Sequence, residues 1–160
     1  MKCLDLTDIQ SNFPENTFEH FIRVGNLYIA SKIESSEQLN FIKMMGINHA
    51  IDLKSHDETS FNDKEECRKA GIKYSNFPVN RVEEIDFDYL QNFKETINQD
   101  SKTLIYCISG NRVGALLTLY ASLVDGHPKK RAIEFGEKVG MRNELTKNAI
   151  YQILNKENLS

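Results

Sequence analysis

Six residues, Cys107-Ile108-Ser109-Gly110-Asn111-Arg112, lie between a short apolar run, Thr103-Leu104-Ile105-Tyr106, and a long one, Val113 to Val124. The first run has the length of a buried strand and the second that of a helix, so the hexapeptide reads as the tight loop joining them. That layout aims backbone N–H groups and the positive end of a helix at one small anion. A cysteine on the rim of such a loop sits where its thiolate is favoured. The plain alternative is a small hydrophobe ending a strand, followed by a turn glycine. From typical residue usage, however, the pattern C-x-x-G-x-R turns up by chance in a chain of this size only about once in a hundred. Its place at a strand-to-helix junction points further toward a nucleophile held over an anion cradle.

The rest of the chain alternates in the same way. Leu27 to Ala30 reads as a strand, and Ser35 with Gln38 as a capping box opening a helix that turns Leu39, Ile42 and Met45 to one side, with Gly46 as its stop. Ile47 to Leu53 is a second strand, Asp63 to Ala70 a short helix closed by Gly71, and Ile72 to Phe77 a third strand ended by Pro78. A polar loop through Glu84 leads to a helix with Phe87, Leu90, Phe93 and Ile97 inward, before the fourth strand delivers Cys107. Beyond the loop helix, Gly126 is a stop, Pro128 a first helical position and Gly140 another stop, and Asn143 caps a last helix with Leu145, Ala149 and Ile153 inward. Alternating strands and helices predict an α/β fold with a mostly parallel central sheet of four to five strands, flanked by helices and completed by a helical C-terminal layer. In such sheets ligands bind beyond the carboxyl ends of the strands, which is where Cys107 falls.

With 160 residues and 40% hydrophobic content, the chain is expected to form a single domain over 1–160, with 1–18 less ordered. A net charge of −3, and no basic stripe interleaved with aromatics, argue against nucleic acid as a partner, and Lys129-Lys130-Arg131 reads as the start of a solvated helix face. Met1 to Asn16 lacks the apolar stretch of a signal peptide and no segment is long enough to span a bilayer, so a cytoplasmic protein without membrane association is expected. Cys3, Cys67 and Cys107, an odd count at irregular spacing, fit reduced thiols. His20, His49, His56 and His127 show no ligand spacing, so neither a metal nor another cofactor is expected.

Val24-Gly25-Asn26-Leu27-Tyr28-Ile29-Ala30-Ser31, Met45-Gly46-Ile47, Ile51-Asp52-Leu53, Gly71-Ile72-Lys73-Tyr74 and Phe77-Pro78-Val79, with the Cys107 loop, resemble the cysteine-dependent, dual-specificity-phosphatase-like superfamily in order and type. The loop is similar to the C-x-S-G-x-R pattern of the prokaryotic phosphatase-like family that includes the N-terminal domain of beta-lactamase-hydrolase-like proteins. The resemblance implies a protein-tyrosine/dual-specificity-phosphatase-like fold and hydrolysis of phosphomonoesters on a phosphorylated protein or small molecule. It further implies that Cys107 attacks phosphorus to give a cysteinyl-phosphate, that the backbone of Ile108, Ser109, Gly110 and Asn111 holds the phosphate oxygens, and that Arg112 clamps two of them. Against the better-known signature, Tyr106 stands where a histidine precedes the cysteine and Val113 where a Ser or Thr follows the arginine. Asn80 and Arg81 occupy the place of the general-acid aspartate, and the nearest carboxylates are Glu83, Glu84 and Asp86, which also suit helix capping. Lys54 and Glu58 stand where the family often carries a basic residue and a glutamate, and an exposed loop pair explains them nearly as well.

Other readings stay open on sequence. C-x-x-G-x-R also fits the six-residue active loop of rhodanese-like sulfurtransferases, in which Cys107 would carry a persulfide. A phosphate-binding module with little turnover is another, and a redox sensor in which Cys67 resolves Cys107 a third. Arg81 with Lys54 is expected to add positive charge beside the site and favour polyanionic substrates.

Overall fold

The computed structural model describes residues 3–97 and 100–157. One sheet of six strands organises them: β1 (Ile9–Gln10), β2 (Phe21–Val24), β3 (Leu27–Ala30), β4 (Ile47–Asp52), β5 (Lys73–Asn76) and β6 (Lys102–Tyr106), in the spatial order β1-β2-β3-β6-β4-β5. β3, β6, β4 and β5 run parallel, and β2 and β1 extend the sheet by antiparallel pairing. β3 is the strand expected over Leu27 to Ala30, whereas β1 and β2, its antiparallel extension through the β2–β3 hairpin, lie outside the sequence expectation. The alternation of β2 is masked because Phe21 and Val24 are both buried, and Gly25, at φ 57°, supplies the turn.

β6 is the centre of the sheet, between β3 and β4, and its residues Thr103 to Tyr106 are all buried. Central strands covered on both faces read as continuous apolar runs, which is why this strand was legible. On one face lie α1 (Ser36–Met44), α2 (Asp63–Lys69) and an aromatic cluster of Phe18, Phe21 and Phe41. On the other lie α3 (Phe87–Thr96), α4 (Asn111–Leu119), α5 (Lys129–Val139) and α6 (Glu144–Glu157). Capping follows the sequence closely. Ser35 and Gln38 form the capping box of α1, and Asn143 Oδ1 accepts from the backbone N–H groups of Leu145 and Thr146 at the start of α6.

Several expectations are corrected. Phe87 is 77% exposed and Leu145 80% exposed, so neither points inward. Each sits in the first turn of its helix, where the apolar stripe has not yet met the core; Leu90 and Phe93 in α3, and Ile150 and Leu154 in α6, carry the burial. Pro128 precedes α5 as its cap residue, and the run after α4 continues as a π-helical turn, Tyr120–Val124. The lead-in to β2 touches the rest of the fold at Leu4, Leu6 and Phe18. The Leu4 N–H donates to Asp125 Oδ2, the Leu4 carbonyl meets His127 Nε2, and Leu6 and Phe18 are buried. Met1 and Lys2 lie outside the described residues.

α4 and α5 cross closely enough that two glycines meet. A Cβ on Gly114 would stand 2.3 Å from the Met141 backbone nitrogen, and one on Gly136 1.7 Å from Thr118 Oγ1. The obstacle at Gly114 is backbone, which cannot rotate away. Gly114→Ala is expected to destabilise the fold by about 1–3 kcal/mol through overpacking. Urea denaturation followed by circular dichroism checks this, and a midpoint equal to wild type would show that the crossing is looser than described.

Candidate active site

Cys107 follows β6 directly, and the next residues turn into the N-terminus of α4 with Gly110 at φ 89°, a conformation that favours glycine. Three carbonyls of this turn face outward. Ile108 O accepts from the Lys32 N–H at 3.0 Å, Ser109 O from Arg142 Nη1 at 2.8 Å, and Gly110 O from the Gly114 N–H at 3.0 Å. In a planar trans peptide the N–H points opposite to the preceding C=O. The N–H groups of Ser109, Gly110 and Asn111 are therefore turned away from those partners, and the Gly110 N–H lands on Cys107 Sγ at 3.2 Å. A helix N-terminus and a row of co-directed N–H groups around a thiol make a cradle suited to a small anion.

Arg112, in the first turn of α4, is fixed from the far side. Its Nη1 donates to Glu58 Oε2 at 2.9 Å and to Val79 O at 2.9 Å, and its Nη2 to Glu58 Oε1 at 2.7 Å. Burial works against the guanidinium charge, but Glu58 and Cys107 outweigh it and hold Arg112 more firmly charged than usual. Glu58 is itself lowered to about 2, first by its hydrogen bonds to Arg112 and then by those from Ser55, whose backbone N–H and hydroxyl both reach Oε2. Glu58 is thus the orienting partner of the arginine, not half of an exposed pair with Lys54.

Lys54 is 2% exposed and lies between Asp52 Oδ1 at 2.9 Å and Asp63 Oδ2 at 2.8 Å, with its ammonium 4.5 Å from the centre of the Tyr106 ring. The Tyr106 hydroxyl donates to Asp63 and the Tyr74 hydroxyl to Asp52, each at 2.6 Å. Burial, reinforced by the two carboxylates, holds the Tyr106 phenol protonated, so it remains a donor. The residue before Cys107 is therefore anchored to α2 by a buried network. This overturns the expected role of Lys54 as free positive charge, because two carboxylates already surround it. Arg81 pairs with Glu83 at the surface.

None of the three carboxylates considered as acids is free of structural duty. Glu84 Oε1 accepts the N–H groups of Asn80 and Arg81 at 2.7 Å each, Asp86 caps α3 by accepting from the Tyr89 N–H, and Glu83 holds Arg81. Asn80, in the loop after β5, accepts the Ser55 hydroxyl at 2.6 Å. Cys67 lies in the apolar cluster across the sheet from Cys107, and burial followed by the Asp63 charge pushes its thiol up to about 12. It is not placed to resolve an oxidised Cys107.

Three participants escaped sequence reasoning: His20, Asn111 through its side chain, and Arg142. His20 Nε2 donates to Val139 O at 2.7 Å, its Nδ1 accepts from Arg142 Nη2 at 3.2 Å, and burial lowers its proton affinity. Asn111 Oδ1 accepts the backbone N–H groups of Arg142 and Asn143. His20 and Arg142 lie in no sequence motif, and the Asn111 side chain meets them only through the packing of α5 and α6 on the loop.

No family model matches the chain and no curated protein matches it. Solved structures do. TpbA of P. aeruginosa aligns with a TM-score of 0.68 and 17% identity over 90% of this chain and 88% of its own; it has also been solved in complex with pTyr. Tk-PTP in its active form aligns at 0.66 with 16% identity over 91% and 99%. Kinase associated phosphatase, with its catalytic-site cysteine substituted by serine, aligns at 0.65 with 14% identity over 81% and 86%. The chain shares the fold of these phosphatase structures. Among the described residues, no helix is long and apolar enough to cross a membrane.

Because Glu58 is more acidic folded than its ordinary value of about 4.3, its pairing adds stability that is complete above that value and is lost as pH falls through about 2. The urea midpoint of Glu58→Gln is expected to lie below wild type at pH 7, with the gap constant down to about pH 5 and narrowing below pH 4. A gap independent of pH would separate the effect from the carboxylate charge.

Proposed function

We propose that this chain is a single-domain, cytoplasmic, cysteine-dependent phosphatase acting on phosphomonoesters. The observation that carries the reading is the pairing of Cys107 Sγ with the Gly110 N–H over a cradle whose arginine is locked in a two-point bond to Glu58. The superfamily fold supports it. In the reaction, the Cys107 thiolate donates an electron pair to phosphorus, the bond to the leaving oxygen breaks with its pair on oxygen, and the departing oxyanion takes its proton from solvent water. The N–H groups of Ser109 to Arg112 and the guanidinium hold the equatorial oxygens as charge redistributes. Water then attacks phosphorus and gives up a proton to solvent, the P–S bond breaks with its pair on sulfur, and phosphate leaves the restored thiolate. A reducing compartment keeps Cys107 available for this chemistry, and all three cysteines are free thiols.

Two features set the rate. The occupied carboxylates leave the leaving group to depart with little protonation, so esters of acidic alcohols, phenols above all, react best. A phosphotyrosine-type substrate fits this preference, and the pTyr complex of TpbA points the same way. Val113 is buried and brings no hydroxyl, so the Gly110 N–H is the donor that stabilises the thiolate as it leaves the intermediate. The same features favour a second reading, an anion-binding module with little turnover.

Wild type in EDTA is expected to hydrolyse para-nitrophenyl phosphate with inhibition by vanadate, and Cys107→Ser to abolish it. Turnover is expected to rise steeply across phenyl phosphates as the phenol becomes more acidic, and alkyl phosphates to be poor. Phosphate binding without Cys107-dependent turnover would establish the binding module, and thiocyanate formation from thiosulfate and cyanide would establish the sulfurtransferase.

A further inference from the structure

The three outward carbonyls of the loop are not held alike. Ile108 O is fixed by the Lys32 backbone beside the sheet, and Gly110 O by the helical bond from Gly114. Ser109 O, between them, is held by a side chain from the α5–α6 connection, Arg142. Turning the Ser109–Gly110 peptide plane over changes little besides ψ of Ser109 and φ of Gly110, and glycine accepts φ of either sign. This plane is therefore the one that the backbone restrains least. It is also the plane whose N–H reaches Cys107 Sγ. Reversed, it would present a carbonyl oxygen to the thiolate and to any bound anion.

We propose that Arg142 is a positioning residue that selects the anion-binding orientation of the Ser109–Gly110 peptide. The inference deepens the phosphate-site reading and rests on it. The guanidinium is aimed from two sides. Asn111 Oδ1 bonds the Arg142 backbone at 2.9 Å, and His20 Nδ1 receives Nη2 at 3.2 Å. His20 is available as an acceptor because its Nε2 proton is committed to Val139 O and because burial disfavours a second proton. The space is closed as well: a Cβ on Gly110 would stand 2.5 Å from His20 Cδ2, and one on Gly140 2.4 Å from Gly110 O. A cation on the Ser109 carbonyl also polarises the peptide and strengthens its N–H as a donor to Sγ.

Among the eight glycines, Gly110 alone follows a serine, so carbonyl-13C serine with 15N glycine gives a single amide signal, that of the Ser109–Gly110 peptide. Arg142→Ala is expected to shift or broaden that signal and to weaken inorganic phosphate binding about tenfold. Arg142→Lys, which can still donate to Ser109 O, is expected to recover part of both. An Arg142→Ala protein with a wild-type unfolding midpoint, signal and phosphate affinity would overturn the proposal. Should Arg142→Ala not fold, a wild-type signal and affinity in Arg142→Met, which can neither donate a hydrogen bond nor supply the charge, would overturn it equally. Neither readout needs turnover, so a chain without phosphatase activity would sink the enzymatic reading and still leave the role of Arg142 decided.

Discussion

The planarity of the peptide bond is the constraint on which the site depends. Once the carbonyls of Ile108, Ser109 and Gly110 are bound on the outside of the turn, the following N–H groups have no choice of direction. The cradle is thus built by what surrounds the loop, and every supporting layer can be read as a means of holding those carbonyls. The strand-side backbone takes the first, the α5–α6 connection the second and α4 the third. Arg112 adds the only side-chain charge aimed from within the loop, and it is usable because Glu58 and Val79 fix its far edge.

The energetic arrangement around this site separates charge from structure. Lys54, Asp52 and Asp63 are buried together with two tyrosine hydroxyls, which satisfies the carboxylates and tethers the strand that carries Cys107. A group of this kind is weak support for net stability, because desolvation offsets much of the attraction. What it does supply is direction: Tyr106 cannot turn without breaking its bond to Asp63. The Gly114 and Gly136 crossing does comparable work on the opposite face, letting α5 approach until Gly140 touches the Gly110 carbonyl.

The loop and the parallel core were legible because they rest on local rules. A continuous apolar strand, a positive-φ glycine, a helix beginning at the arginine and a capping box at Ser35 each leave a signature within a few residues. The two antiparallel strands β1 and β2 and the exposed Phe87 and Leu145 were not legible, since burial of a first-turn side chain depends on which neighbour covers it. The role of Glu58 was half legible: its position in the resemblance was visible, but an exposed loop pair explained it nearly as well until Arg112, 54 residues away in sequence, was placed against it.

The sequence by itself determined that a cysteine, a positive-φ glycine and an arginine share one strand-to-helix turn, because that turn is confined to six consecutive residues. Only the tertiary structure decided that Glu84 and Asp86 are tied to the backbone and Glu83 to Arg81, that Lys54 is paired with two carboxylates, and that His20 and Arg142 close around the loop with the Asn111 side chain. Those assignments depend on which long-range partner reaches a given oxygen or nitrogen first. No spacing along a chain encodes that distance until the sheet and its two helical layers have packed.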